Sequence, residues 1–355
     1  MQQKESRMEE SPELFFKNAL AVPGAEEDPF TANSIYFEYT RAANPIADGT
    51  ISPVPPMKFG PELYATGPSR VVPLDTSAHL HVGSPATSPA LCANFMRVNK
   101  GDSLHTEVNA SSQLFYVISG KGSTRVDGAT MTWEKGDFLT LPASARGHDH
   151  EATEDSTLYW VHDEPLLRYL GATARDPRFP ATHYDHRDAQ RALAEVAADP
   201  EANARSRISV LLANRVLPQT LTITHVEWAM YGLLPKQSFQ PPHRHQSVAL
   251  DLILECEPGK CYTLLGDLDE SGKKLVNIER IDWEPYCAFV TPPGRWHSHH
   301  NESDSHAHVI PIQDAGLHTY LRTLDIRFMT KEQAEKAWET TFDISPSNSL
   351  TSLVA

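Results

Sequence analysis

Residues 91–161 read as a succession of short β-strands broken by glycine turns, and this pattern narrows the fold more than any other feature of the chain. A strand over 114–119 runs into Gly120-Lys-Gly122. Residues 123–126 turn through Asp127-Gly128 into 130–133, Lys135-Gly136-Asp137 precedes a strand over 138–141, and another spans 157–161. Asp-Gly between two β-prone runs is a hairpin signal, because both residues tolerate positive φ. Strands this short, at this spacing, make a sandwich or a barrel. A second strand-rich block runs from about 207 to 328. With 355 residues, 40% of them hydrophobic, the chain has material for two cores.

The flanks read differently. Residues 1–85 are assigned to an N-terminal arm. In it, Ser11-Pro12-Glu13 starts a short helix, with Ser as N-cap and Pro in the first turn, running through Leu20 and ending before Pro23-Gly24. Residues 43–73 are proline-rich and without period, an extended segment expected to wrap over a domain or a neighbouring subunit. Between the strand blocks, 187–198 is rich in helix formers and makes 181–206 a helical connector. Thr330-Lys-Glu-Gln333 is a capping box opening a helix through Ala337-Trp338, within a terminal segment of 329–355. The two strand domains are then 86–180 and 207–328.

Net charge is −15. An acidic surface opposes binding to nucleic acid or an anionic membrane, both of which need a positive footprint. No apolar run approaches the ~18 residues of a membrane span, and the polar start Met1-Gln-Gln-Lys-Glu lacks the apolar centre of a signal peptide. Cys92, Cys256, Cys261 and Cys287 show no C-x-x-C spacing and read as thiols of a cytoplasmic protein.

Two stretches of the second block carry chemistry. Gln240-Pro-Pro-His243-Arg244-His245 places two imidazoles at i and i+2, on one face of a strand. Some fifty residues on, Pro292-Pro-Gly294-Arg295-Trp296-His297-Ser-His299-His300-Asn301 offers a third from a neighbouring strand. The chain has 17 histidines, so a His-x-His pair alone means little; the frame around these gives them weight. Three facial imidazoles would leave coordination positions open, as a catalytic metal site requires. Imidazole suits iron, zinc, copper or nickel, and a neutral ligand set leaves the cation free to attract an anionic chelating substrate.

The segment from Pro292 to Asn301 reads P-x-G-x-x-H-x-x-x-N, the second signature of the cupins, and the His243/His245 segment resembles the first. The earlier block resembles a cupin in spacing. Gly101, Glu107, Asn109, Gln113 and Gly120 keep the frame of the first signature, with Glu107, Asn109 and Gln113 where ligands would stand. Gly136 and Pro142 open the second, with Gly147 at its histidine position and His148 one step off. Trp228-Ala229, Pro242–His245, Ser247, Ala249-Leu250, Thr291-Pro292 and Trp296–Asn301 resemble the gentisate 1,2-dioxygenase group of bicupins, as do Thr132-Trp133, Gly136-Asp137-Phe138, Leu141-Pro142 and Asp163-Glu-Pro165.

That resemblance implies an all-β bicupin: two double-stranded β-helix (jelly-roll) domains with an N-terminal arm and a connecting helix, assembled as a homodimer or homotetramer. It implies iron(II), with zinc, manganese or nickel as alternatives, held by His243, His245 and His297. The implied activity is extradiol-type ring cleavage of a small hydroxylated aromatic acid by O2. His299 would be the catalytic residue at the substrate hydroxyl, and Trp228, Arg295 and Asp314 would line the substrate site. Two departures stand out. The group has the metal-binding half first, and it has an arginine for the substrate carboxylate where this chain has Asp251; its upstream glutamine falls near Gly232. A different metal-dependent cupin reaction (isomerase or lyase) and a non-catalytic small-molecule-binding bicupin are the alternative expectations.

Overall fold

The computed structural model describes residues 16, 19–20, 28–202 and 207–337. It divides into two units, 1–53 and 54–355. In the first, Ala19–Leu20 pairs antiparallel with Tyr36–Phe37. A single helical turn, Tyr39–Ala42, is capped by Glu38, whose carboxylate accepts from the Thr40 and Arg41 N–H groups. The helix expected from Ser11 lies mostly outside the described residues, and Leu20, placed in it, is in a strand because its backbone pairs with Tyr36.

The second unit holds two jelly-roll sandwiches in tandem. Two short strands precede them, β1 (Lys58–Phe59) and β2 (Arg70–Pro73). The first sandwich comprises β3 (Cys92–Val98), β4 (Ser103–Thr106), β5 (Ser112–Ser119), β6 (Lys121–Val126), β7 (Ala129–Glu134), β8 (Phe138–Pro142), β9 (His148–Ala152) and β10 (Ser156–His162). After β11 (Thr182–Tyr184) and β12 (Ile208–Leu212), the second comprises β13 (Trp228–Leu234), β14 (Ser238–Arg244), β15 (Ala249–Glu255), β16 (Cys261–Leu268), β17 (Leu275–Asp282), β18 (Ala288–Thr291), β19 (Trp296–Asn301) and β20 (Ala307–Gln313). The short β21 (Arg327–Phe328) joins its smaller sheet. The sheet orders are β11-β8-β5-β10-β3-β2 over β4-β9-β6-β7, and β12-β13-β20-β15-β18-β1 over β17-β16-β19-β14-β21. Asp127 and Gly128, at φ 49° and 83°, make the tight β6–β7 turn.

Alternation along β5 sends Phe115 and Val117 into its own sandwich and Leu114, Tyr116 and Ile118 to the opposite face. There they join Leu250, Leu252, Leu254, Ile310 and Ile312 from the large sheet of the second sandwich. Both large sheets are thus buried on both faces, which is why 114–118 is continuously apolar where a half-exposed strand would alternate. Each such leucine contributes about 2 kcal/mol of transfer free energy, so this layer ties the two sandwiches into one core.

Chain segments outside the sandwiches clamp them. β1 extends the second sandwich beside β18, β2 extends the first beside β3, and between them the buried Tyr64 donates its hydroxyl to the Tyr286 carbonyl (3.2 Å). The connector runs from β11 through α2 (His186–Ala198) to β12, following α1 (Glu164–Tyr169). The α2 N-terminus is pinned by Asp137, whose carboxylate accepts from His183 Nε2 (2.9 Å), His186 Nδ1 (2.9 Å) and the His186 N–H (3.0 Å). After β20 come α3 (Ala315–Leu321) and α4 (Lys331–Ala337); Thr330 and Gln333 form the reciprocal capping bonds expected of them, at 2.8 and 3.2 Å. The four cysteines are free thiols.

Candidate metal centre

Within the second sandwich, β14 and β19 are neighbours, and His243 lies directly opposite His297. His245 follows just past the end of β14. All three are buried, and one ring nitrogen of each lies within 4.8 Å of the others. An ion about 2.1 Å from each nitrogen would draw them together with small ring movements.

Backbone carbonyls fix the tautomers. His243 Nδ1 donates to Pro241 O (3.1 Å), His245 Nδ1 to Ser247 O (2.8 Å) and His297 Nδ1 to Arg295 O (3.1 Å). A carbonyl can only accept, so each Nδ1 carries the proton and each Nε2 keeps its lone pair. This arrangement orients imidazoles for a metal. Burial holds all three well below the ordinary histidine range, and neighbouring imidazoles and the Arg207 guanidinium lower them further; His245 falls to about 4. Three neutral, pre-oriented donors fit a divalent transition metal.

His299 sits beside them, its ring centroid 5.7 Å from that of His297. Its Nδ1 meets Thr263 Oγ1 at 2.8 Å, and the same oxygen accepts the Trp283 indole N–H at 2.8 Å. With the indole donating to Thr263, the hydroxyl proton is free to point at Nδ1, and in that tautomer a neutral His299 carries its own proton on Nε2. Asp251 is buried, accepts from Thr291 Oγ1 (2.7 Å), and is pushed up to about 6 by burial against the opposing pull of Arg207 and Thr291. Arg207 enters from the connector just before β12. Its charge acts on Asp251 and on His243, His245, His297 and His299 alike. The buried Gln240 also belongs here, its Nε2 3.5 Å from His243 Nε2 and its Oε1 without a partner.

Residues 94–162 match the family model "Cupin domain". Over nearly the whole chain the structure resembles salicylate 1,2-dioxygenase from Pseudoaminobacter salicylatoxidans in its adducts with gentisate: TM-score 0.65 and 13% identity, covering 93% of this chain and 96% of that one. A second structure of that enzyme, from Pseudaminobacter salicylatoxidans, matches at TM-score 0.61 and 14% identity over 78% and 88%. The chain has a bicupin fold. Among curated proteins, 5-aminosalicylate 1,2-dioxygenase of Comamonas sp is 33% identical over 91 residues, and 5-nitrosalicylic acid 1,2-dioxygenase of Bradyrhizobium sp 28% over 87. The matched stretches cover 25% and 24% of this bicupin, and only 24% and 42% of those relatives.

The two cupins repeat one framework. In cupin 1, Thr124 lies opposite His150 and takes both His150 Nδ1 (2.9 Å) and the Trp133 N–H (3.0 Å), as Thr263 does with His299 and Trp283 in cupin 2. His150 therefore matches His299, and His148 matches His297. Spacing put Gly147 in that place; the turn from Pro142 to His148 is one residue longer than that from Pro292 to His297. Gly147 takes up the extra residue at φ 65°, where an added Cβ would lie 2.3 Å from the Thr106 carbonyl. By the same register, Thr106, not Glu107, stands opposite His148 as His243 stands opposite His297. Glu107 is exposed, and Asn109 bonds to the backbone of Ala172 (2.8 Å) and Ala174 (2.9 Å). Glu107 thus does not join His148 as a ligand.

Of the substrate-site residues expected in cupin 2, Trp228 is half-buried at the start of β13, opposite Gln313, with an unpartnered indole nitrogen. Arg295 brings its carbonyl, and not its side chain, to the cup: the guanidinium pairs with Glu279 (2.5 Å) and Asp267 (3.4 Å). Asp314 accepts the Val248 N–H (2.9 Å) and is pushed up to about 7 by burial; it anchors the strand after His245. At Gly232 an added Cβ would lie 2.8 Å from Ser209 Oγ and 3.2 Å from the Val309 carbonyl, so a side chain there would be crowded by both neighbouring strands. His300 is stacked between Phe239 and Tyr262, and His308 pairs with Glu255 (3.2 Å).

Proposed function

We propose that this bicupin is an iron(II)-dependent dioxygenase that opens the ring of a hydroxylated aromatic acid, with cupin 2 (207–328) carrying the chemistry and cupin 1 (86–180) serving as scaffold. The observation that supports it is the convergence of His243, His245 and His297 through unprotonated Nε2 atoms, beside a fourth imidazole that presents a proton. Bound by these three, iron(II) would supply the exchange of electrons between an aromatic substrate and O2 that side chains cannot.

The remaining roles fall to the chain itself. Arg207 supplies the positive charge that steers a substrate carboxylate into the cup, from the segment before β12 and not from β15, where Asp251 stands in place of an arginine. The Asp251 carboxylate acts on the same guanidinium through space and balances part of its charge. His299 holds the substrate hydroxyl oxygen through Nε2–H and can move a proton there. Ile253, Leu265, Trp283 and Phe289 belong to one buried apolar cluster, with Trp283 5.6 Å from His299 between ring centroids, and apolar surroundings strengthen charge interactions. The relatives named for salicylates support this substrate class.

The test is oxygen uptake by protein loaded anaerobically with iron(II), offered gentisate, salicylate and 5-aminosalicylate. Uptake with loss of ring absorbance is expected for at least one. Iron bound at one per chain with no uptake on any hydroxybenzoate would reject the proposal and favour a binding protein. Zinc, manganese or nickel in freshly purified protein would favour a different cupin reaction.

A further inference from the structure

The two cupins enclose a second cavity, away from the histidine cup. It has a volume of about 670 Å³ and lies between α1 of cupin 1 and α3 of cupin 2, roofed by 216–220. Leu166 and Leu167 from α1, Leu217 from the roof and Leu317 from α3 form its apolar walls. Clefts of this size between domains, mostly apolar with a few placed polar groups, are the usual form of a small-molecule site.

Its polar groups are unequally committed. Asp163, at the buried end, already accepts the N–H groups of Ser111 (2.8 Å) and Ser112 (3.0 Å) and the Ser111 hydroxyl (2.5 Å). His225 Nε2 bonds to Ser111 Oγ (3.0 Å), and its Nδ1 is buried without a partner. Because the Ser111 proton goes to Asp163, His225 donates from Nε2, and the trio is a structural chain without a primed nucleophile. Burial and the Arg178 charge lower His225 to about 4, so it is neutral at pH 7. That leaves Arg178 as the one permanent cation among the described lining residues. It is exposed at the mouth, and no described carboxylate pairs with it.

We propose that this cavity binds a small carboxylic acid with an apolar body, its carboxylate on Arg178 at the mouth and its body against Leu166, Leu167, Leu217 and Leu317. An unpaired guanidinium beside an apolar slot selects that combination. A neutral amide lacks the charge, and a dianion would bring its second charge towards the Asp163 end. The site is independent of the metal and of the proposed activity.

Benzoate and its neutral analogue benzamide test it, by calorimetric titration of the metal-loaded full chain and three variants. His297→Ala removes any benzoate site that depends on the metal. In that background one benzoate per chain is expected, with Kd between about 10 µM and 1 mM, and benzamide at least about tenfold weaker. Adding Arg178→Gln should weaken benzoate by about tenfold or more. Leu167→Phe, which fills the slot and leaves Arg178 in place, should also abolish binding, and serves if the arginine variant folds poorly. Benzoate binding that vanishes in His297→Ala, equal binding of benzamide, or unchanged binding in both cavity variants would overturn the proposal. Absence of oxygen uptake would not, because this site is read in protein without the metal cup.

Discussion

Glu227 offers the sharpest test of the reading of the cupin–cupin junction. It is fully buried, immediately before Trp228. Its Oε2 lies 2.6 Å from Ser112 Oγ of cupin 1 and 3.2 Å from Thr224 Oγ1, and its Oε1 has no partner. Burial, with Asp163 nearby, pushes its pKa from 4.5 up to about 8 against those two hydroxyl contacts. The folded protein therefore holds a proton that the unfolded chain releases above pH 4.5. Stability from this group is undiminished below about pH 4.5, falls as pH rises, and levels off above about pH 8. At about 1.36 kcal/mol per pKa unit the loss is roughly 3 kcal/mol at pH 7 and nearly 5 above pH 8. Glu227→Gln keeps the shape of the protonated acid and cannot ionise. The variant should match the wild type near pH 4.5 and exceed it progressively to pH 8. For a chain this long each kcal/mol moves Tm by roughly 1–2 °C, giving about 3–6 °C at pH 7. Differential scanning calorimetry of both proteins from pH 5 to 9 reads the gap directly. A constant gap, or a variant less stable at pH 8 than the wild type, would show that Glu227 is ionised in the fold and that the junction is solvated.

Three further outcomes concern the cup. His297→Ala should reduce bound transition metal from about one per chain to none by elemental analysis, with far-UV circular dichroism unchanged, because removing one of three ligands removes the chelate. Arg207→Gln should raise KM for an aromatic acid by about 10- to 100-fold, the worth of one charge-assisted contact, with kcat altered far less; steady-state oxygen uptake measures both. His299→Gln should lower kcat by about 100-fold or more while metal content stays at the wild-type level, separating a group at the substrate from a group on the metal.

The histidine cup was legible because its three imidazoles come from two compact motifs. The i, i+2 spacing of His243 and His245, and the Pro-Gly turn before His297, are local features that dictate strand direction and face. The doubled strand pattern was legible for the same reason: turns at Asp127-Gly128 and Lys135-Gly136-Asp137 are set by neighbouring residues. Arg207 was invisible. It sits in no motif, at the end of a connector, and reaches the cup only because β12 pairs with β13 across 15 intervening residues that no short-range pattern spans. Arg295 misled in the opposite sense. It is adjacent in sequence to the ligands, but Glu279 and Asp267 on neighbouring strands claim its side chain.

Thr124, Trp133 and His150 preserve the hydrogen-bond chain of Thr263, Trp283 and His299, down to the indole donating to the threonine. In cupin 1 that chain ends on Thr106, whose hydroxyl meets His150 Nε2 at 2.9 Å. In cupin 2 the corresponding position is His243. The same imidazole is therefore locked into the core of one half and faces the histidine trio of the other, and the difference rests on one residue of β4 against one of β14. Cupin 1 keeps the polar chain that holds its sheet together, lacks the two first-motif histidines, and uses its outer face to pack against cupin 2. The Thr263–His299–Trp283 chain is thus repeated in a half that lacks the histidine trio, which is why substitution of His299 should spare both fold and metal binding.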